Sequence, residues 1–329
     1  MRPTIPGCLV LLCAIAAAAA GCAPPPEPSI DVTTTPIDLR GSYVNVNGVR
    51  LHYVERGAST DPAIVLVHGF GGWAFSFRKV LDPLAAQGHR VIAIDLLGFG
   101  LSDKPLDADY SLTAEATLLL AALDSLHVDR PVLLGHSYGG GVVAAAALAQ
   151  PSRVRAVILA NSLTLKYGRF TIASSLVRKI LDWPVIGPLT LALAAPRDDY
   201  FAETLREGYA APHLVNAETI RGFLYPYHLP GARQALVSLV QTGGAGVSSP
   251  PVFPARLRVP VLVLWGQKDP WFTAGRGYQL AARIPGALYA AVHHAGHFPL
   301  EEDPATCVRF IRAFIDGLPP AHSIVGGSR

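Results

Sequence analysis

One serine of the chain stands in a sequence pattern that suits nucleophilic catalysis. Ser137 is the central residue of Gly135-His136-Ser137-Tyr138-Gly139, which follows an apolar run at residues 132–134 and precedes an alanine-rich segment. This pattern is typical of a sharp turn from a strand into a helix, and such a turn exposes the serine at the edge of a sheet. Glycines two residues to either side leave room for the crowded backbone. We therefore predict that Ser137 is a nucleophile; the alternative is a glycine-rich turn in which the serine has no role.

A nucleophilic serine needs partners that activate it. A serine hydroxyl group is a weak nucleophile near neutral pH, so it requires an imidazole base and a carboxylate that orients the imidazole. Asp269 lies just beyond an apolar run at residues 261–264 and directly before Pro270. We predict that Asp269 is this carboxylate. The alternative is an aspartate that only helps to form the turn before the proline.

The base must be one of the 11 histidines of the chain. His297 follows Gly296 in the stretch His293-His294-Ala295-Gly296-His297-Phe298. The glycine lets the loop turn inward immediately before His297, whereas His294 has no such residue in front of it. We predict His297 as the base, with His294 as the alternative.

The pattern of apolar residues predicts a sheet that would bring these side chains together. Wholly apolar runs predict strands buried on both faces, and they lie at residues 64–67, 91–94, 132–134, 157–160 and 261–264. Residues 43–54 alternate around Asn47-Gly48, which favours an antiparallel hairpin at the start of the domain. Residues 111–126 show a helical pattern that Ser111 or Thr113 would cap. Helices that alternate with strands indicate an α/β fold with a mostly parallel sheet.

The pattern changes between residues 163 and 254, where prolines interrupt apolar helical stretches. A loop of this length without secondary structure is unusual in a compact domain, so we predict short helices that form a cap over the sheet. The α/β core would then comprise residues 41–162 and 255–318. A C-terminal tail would follow at residues 319–329.

The turn around Ser137, its partners and the strand pattern together resemble the α/β-hydrolase superfamily, from about residue 43 to residue 318. The resemblance implies an α/β-hydrolase fold with helices on both faces of the sheet, a helical cap insertion, and the order serine, aspartate, histidine along the chain. The loop around His297 also resembles the family's catalytic-histidine loop. In addition, the resemblance implies an oxyanion hole built from the backbone N–H groups of Tyr138 and Phe70, because Phe70 lies in a His-Gly-x-Gly loop that begins at His68.

Two further features follow from the same resemblance. The segment Asp95-Leu96-Leu97-Gly98-Phe99-Gly100-Leu101-Ser102 resembles a recurrent family segment, and we expect it to have a structural role beside the site. Six aromatic residues are candidates for lining a pocket for the acyl or alcohol group, although packing in the core is the more common role at such spacing. They are Trp73, Phe75, Phe77, Trp183, Trp271 and Phe298.

The predicted activity is the hydrolysis of small to medium carboxylic esters through an acyl-enzyme on Ser137. Carbon-carbon bond hydrolases and cofactor-free perhydrolases use the same triad and remain alternatives. Haloalkane dehalogenases and epoxide hydrolases of this fold use an aspartate as nucleophile, so Ser137 argues against both. An alternative of another class is a non-catalytic protein that holds an apolar ligand on the same fold.

The N-terminal segment predicts export from the cytoplasm. A short basic start precedes an apolar stretch at residues 8–20, which is shorter than the roughly 20 apolar residues that a membrane-spanning helix needs. Residues 19–22 read Ala-Ala-Gly-Cys and resemble the end of a bacterial lipoprotein signal. This implies removal of residues 1–21, lipidation of Cys22 and a proline-rich spacer over residues 22–40. We expect a lipid-anchored protein of the bacterial cell envelope; ordinary secretion and an uncleaved anchor are the alternatives.

Composition narrows the range of partners. Only 16% of the 329 residues are charged, the formal net charge is +3, and no basic run of the kind that binds nucleic acid is present. The sequence contains no metalloprotease, nucleotide-binding or paired C-x-x-C motif. We therefore expect no cofactor, metal or nucleic acid, and a small ester-like molecule as the substrate.

Overall fold

The computed structural model describes residues 40–162, 198–232, 235 and 254–319. Eight strands lie within this part of the chain: β1 (Ser42–Val46), β2 (Val49–Arg56), β3 (Ala63–Val67), β4 (Arg90–Ile94), β5 (Val132–His136), β6 (Ala156–Ala160), β7 (Val261–Gly266) and β8 (Leu288–Val292). They form one sheet in the order β1-β2-β4-β3-β5-β6-β7-β8. The five apolar runs each coincide with a strand, so the predicted strands are confirmed.

The helices of the same residues are α1 (Leu81–Ala85), α2 (Leu112–Ser125), α3 (Tyr138–Ala149), α4 (Asp198–Gly208), α5 (Ala217–Leu224), α6 (Ala274–Arg283), α7 (Pro299–Glu302) and α8 (Pro304–Asp316). Short 3-10 helices lie at Ala74–Phe77, Pro151–Arg153, Pro212–Leu214, Tyr225–His228 and Pro254–Arg256. The Ser111 side chain accepts a hydrogen bond of 3.2 Å from the Ala114 amide and caps α2, as predicted.

The sheet is antiparallel at one edge and parallel elsewhere. β1 pairs with β2, and β2 pairs with β4, in antiparallel fashion, while every pairing from β4 to β8 is parallel. Asn47 and Gly48 both have positive φ angles, of 49° and 86°, which suits the tight turn between β1 and β2. The predicted hairpin and the mostly parallel sheet are both confirmed.

Helices cover both faces of the sheet. Right-handed crossovers that run in opposite directions along a sheet place their helices on opposite faces. The chain steps from β3 to β4 in one direction, through α1, and then steps back past β3 to β5 and β6, through α2 and α3. Accordingly, α2 packs against α3, and α1 packs against α8. β4, β5, β6 and β7 are buried along their whole length, so the core lies on both sides of the parallel strands.

Several sequence predictions lie outside the described residues. They are the signal segment at 1–21, the lipidation site Cys22, the spacer at 22–39, most of the cap region at 163–254 with Trp183, and the tail from residue 320. Between residues 198 and 232 the structure shows α4 and α5 with short 3-10 helices, and the cap that the sequence predicts over residues 163–254 stays a prediction. No helix of the described residues is both long enough and apolar enough to span a bilayer.

Candidate active site

Ser137 occupies a strained turn at the carboxyl end of β5. Its φ and ψ angles are 49° and −115°, a conformation that non-glycine residues rarely adopt. A Cβ atom at Gly135 would lie 2.3 Å from the Gly139 carbonyl oxygen, and a Cβ atom at Gly139 would lie 2.3 Å from the Val67 carbonyl oxygen. Both glycines are therefore required by close backbone contact. The Ser137 amide donates a 3.0 Å hydrogen bond to the Ala160 carbonyl oxygen, which ties the turn to β6.

Asp269 and His297 are in direct contact. His297 Nδ1 lies 2.8 Å from Asp269 Oδ2, and both side chains are almost completely buried. A carboxylate can only accept, so Nδ1 carries the proton and Nε2 is left as an acceptor in the neutral ring. This is the tautomer in which a histidine can take a proton from a serine.

Three further donors hold the Asp269 carboxylate. The backbone amides of Trp271 and Phe272 each donate to Oδ1 at 2.8 Å, and Asn161 Nδ2 donates to Oδ2 at 2.5 Å. Burial acts to raise the pKa of Asp269, but the hydrogen bond and charge of His297, with the Phe272 and Asn161 hydrogen bonds, outweigh it and lower the pKa below its ordinary value. The carboxylate therefore stays ionised beside the imidazole.

The His297 loop lies against the turn that carries Ser137. The ring of His136, the residue before Ser137, lies 5.1 Å from the His297 ring between centroids, and His136 Nε2 lies 2.7 Å from the His297 carbonyl oxygen. The structure contains no hydrogen bond between the Ser137 hydroxyl group and His297 Nε2, although it describes both residues. Such contacts are often long in unliganded enzymes and tighten when substrate binds.

The two predicted oxyanion donors flank the same turn. Tyr138 is the first residue of α3, where backbone N–H groups have no partner within the helix. A Cβ atom at Gly69 would lie 3.1 Å from Ser137 Cβ, so the loop that contains Phe70 also lies against the serine. Within the described residues, no hydrogen-bond acceptor contacts the amide of either Phe70 or Tyr138. Both amides are thus available to an oxygen atom placed near Ser137.

Comparison with known proteins identifies the family of the chain. The model of the alpha/beta hydrolase fold family matches residues 62–230, just over half of the chain. The chain belongs to the α/β-hydrolase fold family. It is 29% identical to haloalkane dehalogenase 2 of Mycobacterium tuberculosis over 84% of this chain and 96% of that protein. The coarse prediction of a hydrolase is confirmed, because members of this family are hydrolases.

Solved structures show the same fold. A mutant meta-cleavage product hydrolase superposes with a TM-score of 0.69 at 21% identity, covering 84% of this hydrolase and 98% of that chain. A thermophilic esterase from Thermogutta terrifontis gives a TM-score of 0.68 at 22% identity, with the same coverage of 84% and 98%. The predicted α/β-hydrolase fold is therefore confirmed.

Two polar residues of the hydrolase site were not predicted from the sequence. Asn161 directly follows β6 with a φ of 42°, and its side chain joins Asp269 Oδ2 to the Gly266 amide, which donates to Asn161 Oδ1 at 2.9 Å. Burial, followed by the charge of His297, lowers the pKa of His136 to about 3, so its ring stays neutral and Nε2 donates to the His297 carbonyl. Neither residue has a local signature, since each acts through partners more than 100 positions away.

The segment that begins at Asp95 has the expected structural role. The buried Asp95 carboxylate accepts hydrogen bonds from the Ala74 and Leu101 amides at 2.7 and 2.8 Å, and it lies 2.9 Å from His52 Nδ1. His68 also supports the backbone: its Nδ1 donates to the Gly69 carbonyl at 2.8 Å, and its Nε2 accepts from the Leu96 amide at 3.0 Å. These contacts fix the loop that contains Phe70.

The candidate pocket residues divide into two groups. Trp73, Phe75 and Phe77 are buried in the core. Trp271 and Phe298 instead contact the His297 ring, with centroid distances of 4.7 and 5.3 Å. His293 and His294 are both exposed. The residues that the structure describes contain no cluster of three or more histidine, cysteine, aspartate or glutamate side chains suited to a metal ion.

Proposed function

We propose that this α/β hydrolase is a serine hydrolase that cleaves small to medium carboxylic esters through an acyl-enzyme on Ser137. The observation that carries the proposal is the 2.8 Å hydrogen bond between His297 and the ionised Asp269, beside the strained turn of Ser137. It holds the imidazole in the tautomer that a general base needs. The neutral His136 adds no competing positive charge near this base.

The reaction would proceed in two halves. Ser137 Oγ attacks the ester carbonyl carbon while His297 Nε2 takes the hydroxyl proton, and the amides of Phe70 and Tyr138 stabilise the oxyanion. The carbon–oxygen bond to the alcohol then breaks, and His297 returns its proton to the leaving alcohol. Water, deprotonated by His297, attacks the acyl group in the same way and releases the acid and free Ser137.

Ser137, His297 and Asp269 could also support other reactions, and the experiments below distinguish these reactions from ester hydrolysis. The serine nucleophile argues against the halide displacement named for the mycobacterial relative, because dehalogenases of this fold form their intermediate on an aspartate. Carbon-carbon bond hydrolysis and perhydrolysis would begin from the same Ser137, His297 and Asp269.

We also propose that a lipid on Cys22 anchors the protein in the cell envelope, on the basis of residues 1–22.

The direct test is labelling with a fluorophosphonate, which reacts with activated serines and needs no knowledge of the substrate. We expect intact mass analysis of the full-length protein to show one adduct, and Ser137→Ala to lack it and to lose at least about 10⁴-fold in ester turnover. Ser125→Ala is the matched control, because Ser125 is exposed on α2 and should leave the adduct unchanged. An adduct on Ser137→Ala, or unchanged ester turnover by it, would contradict the mechanism.

A substrate panel then separates the activities. p-Nitrophenyl esters of increasing chain length, a ring-cleavage-type β-diketone and a haloalkane are offered to the wild-type protein at equal concentration. We expect release of nitrophenol to exceed cleavage of the diketone and release of halide. Faster cleavage of the diketone would assign carbon-carbon bond hydrolysis to the same triad.

A further inference from the structure

The loop that carries His297 rests directly on the last residue of α4 and on the residues that follow this helix. The His297 amide donates a 2.7 Å hydrogen bond to the Gly208 carbonyl oxygen. At Gly296, a Cβ atom would lie 2.5 Å from the same oxygen and 2.6 Å from the Ala210 amide nitrogen. The two backbones therefore touch, and only glycine fits at position 296.

A single carboxylate joins these two backbones. Glu302 Oε1 accepts a 2.7 Å hydrogen bond from the Gly296 amide, and Oε2 accepts from the amides of Ala210 and Ala211 at 2.7 and 3.2 Å. Hydrogen bonds from amides to an ionised carboxylate are about twice as strong as those between neutral groups. One side chain thus fastens the residue before His297 to two residues of the segment that follows α4.

The position of Glu302 in the chain does not by itself account for these contacts. The N-cap of α8 is Asp303, whose side chain accepts a hydrogen bond from the Thr306 amide, so Glu302 is not needed to begin that helix. Its carboxylate instead turns back towards the His297 loop. The backbone of His297 is therefore held from two directions, by Gly208 at its amide and by His136 at its carbonyl, while Glu302 fixes the preceding peptide.

We infer that Glu302 is a positioning residue for His297, and that residues 208–211 form part of the support that aligns this base with Ser137. The inference rests on the proposed function, since it concerns the base of that reaction. A displacement of about 1 Å in a reacting group can reduce the rate by about 100-fold. Loss of the Glu302 contacts would free the Gly296 peptide and allow such a displacement without removing any group that touches the substrate.

The adjacent glutamate provides a matched control. Glu301 is also buried, but its carboxylate pairs with Arg78 and Lys79. Its side chain makes no hydrogen bond to the His297 loop or to residues 208–211 within the described residues. Glu301→Gln should therefore lower the thermal midpoint of unfolding through loss of a buried ion pair, yet leave kcat within about twofold of the wild-type value.

The experiment compares Glu302→Gln with Glu301→Gln in the full-length protein, well below the unfolding midpoint of each variant. The NH2 group of the glutamine side chain can donate but not accept, so in either orientation of the side-chain amide it faces at least one of the three backbone amides. For Glu302→Gln we expect kcat on p-nitrophenyl butyrate to fall about 10- to 100-fold, with KM changed less than about threefold.

Three results would overturn the inference. They are an unchanged kcat in Glu302→Gln, a rise in KM as large as the fall in kcat, or an equal loss of kcat in Glu301→Gln, which would indicate a general loss of structure. If the wild-type protein forms no fluorophosphonate adduct, the proposed function fails, and the downfield proton NMR signal of His297 Nδ1–H becomes the readout. That signal should shift or broaden in Glu302→Gln and keep its wild-type position in Glu301→Gln. If the two variants gave the same signal, the positioning role would be refuted.

Discussion

The four hydrogen bonds to Asp269 predict the outcome of replacing this carboxylate with an amide. In Asp269→Asn one side-chain oxygen becomes an NH2 group, which cannot accept. The backbone amides of Trp271 and Phe272 both require an oxygen at the Oδ1 position, so the NH2 group must take the Oδ2 position. There it faces His297 Nδ1, which then has to accept, and the imidazole proton moves to Nε2. In this tautomer His297 cannot take the proton of Ser137.

The size of the effect follows from this exchange of tautomers. The same aspartate-to-asparagine change in a serine protease triad lowers kcat by about 10⁴-fold. This corresponds to about 5.4 kcal/mol of transition-state stabilisation. The NH2 group also faces Asn161 Nδ2, which loses its acceptor, so we expect a further cost of about 1.5–3 kcal/mol in the free energy of unfolding.

The assay is steady-state hydrolysis of p-nitrophenyl butyrate, together with the rate of fluorophosphonate labelling and a urea unfolding curve. Asp124→Asn is the control, because Asp124 pairs with Arg153 at the surface and its side chain is 61% exposed. We expect this control to retain kcat within about twofold, since exposed ion pairs contribute little. If Asp269→Asn kept more than about a tenth of the wild-type kcat, the assignment of Asp269 as the orienting acid would be wrong.

Two further perturbations have defined outcomes. Burial raises the pKa of Glu115 to about 8, although a hydrogen bond from the Leu97 amide acts to lower it. The folded state therefore keeps a proton that the unfolded state loses near pH 4.5. The free energy of unfolding should fall as the pH rises between these two values. Glu115→Gln should therefore raise the thermal midpoint of unfolding more at pH 8.5 than at pH 5, and equal shifts at both pH values would contradict this. Cys22→Ser should move the protein from the membrane fraction to the soluble fraction; an unchanged distribution on immunoblots would rule out a lipid anchor at this residue.

The parts of the fold that could be predicted are those with a strong local signal. β4, β5, β6 and β7 are buried on both faces, and each contains an unbroken apolar run in the sequence. Asn47-Gly48 and Ser111 are turn and cap residues that act through neighbours within a few positions. Such features depend on backbone conformation and burial, which residue type largely determines.

The residues that support the site could not be predicted, because they have no local signal in the sequence. Asn161 contacts Asp269 across 108 positions, His136 contacts His297 across 161, and Glu302 contacts Ala210 across 92. No spacing rule links residues so far apart, because only the tertiary fold brings them together. Ser137, Asp269 and His297 could be selected since each follows a predicted strand in a fixed order, whereas their catalytic roles remain predictions.

The strand order has a consequence for how this protein can change. β6 and β7 are neighbours that pair from Val157 with Val261 to Ala160 with Leu264, although the whole segment with α4 and α5 lies between them in the chain. Doubling the length of a segment that connects two fixed points costs only about 0.6 kcal/mol in closure entropy. Insertions and deletions between β6 and β7 therefore put little strain on the sheet. Residues 208–211 are the exception, because a shift there would be transmitted to His297, and we expect length variation in evolution to occur on either side of them.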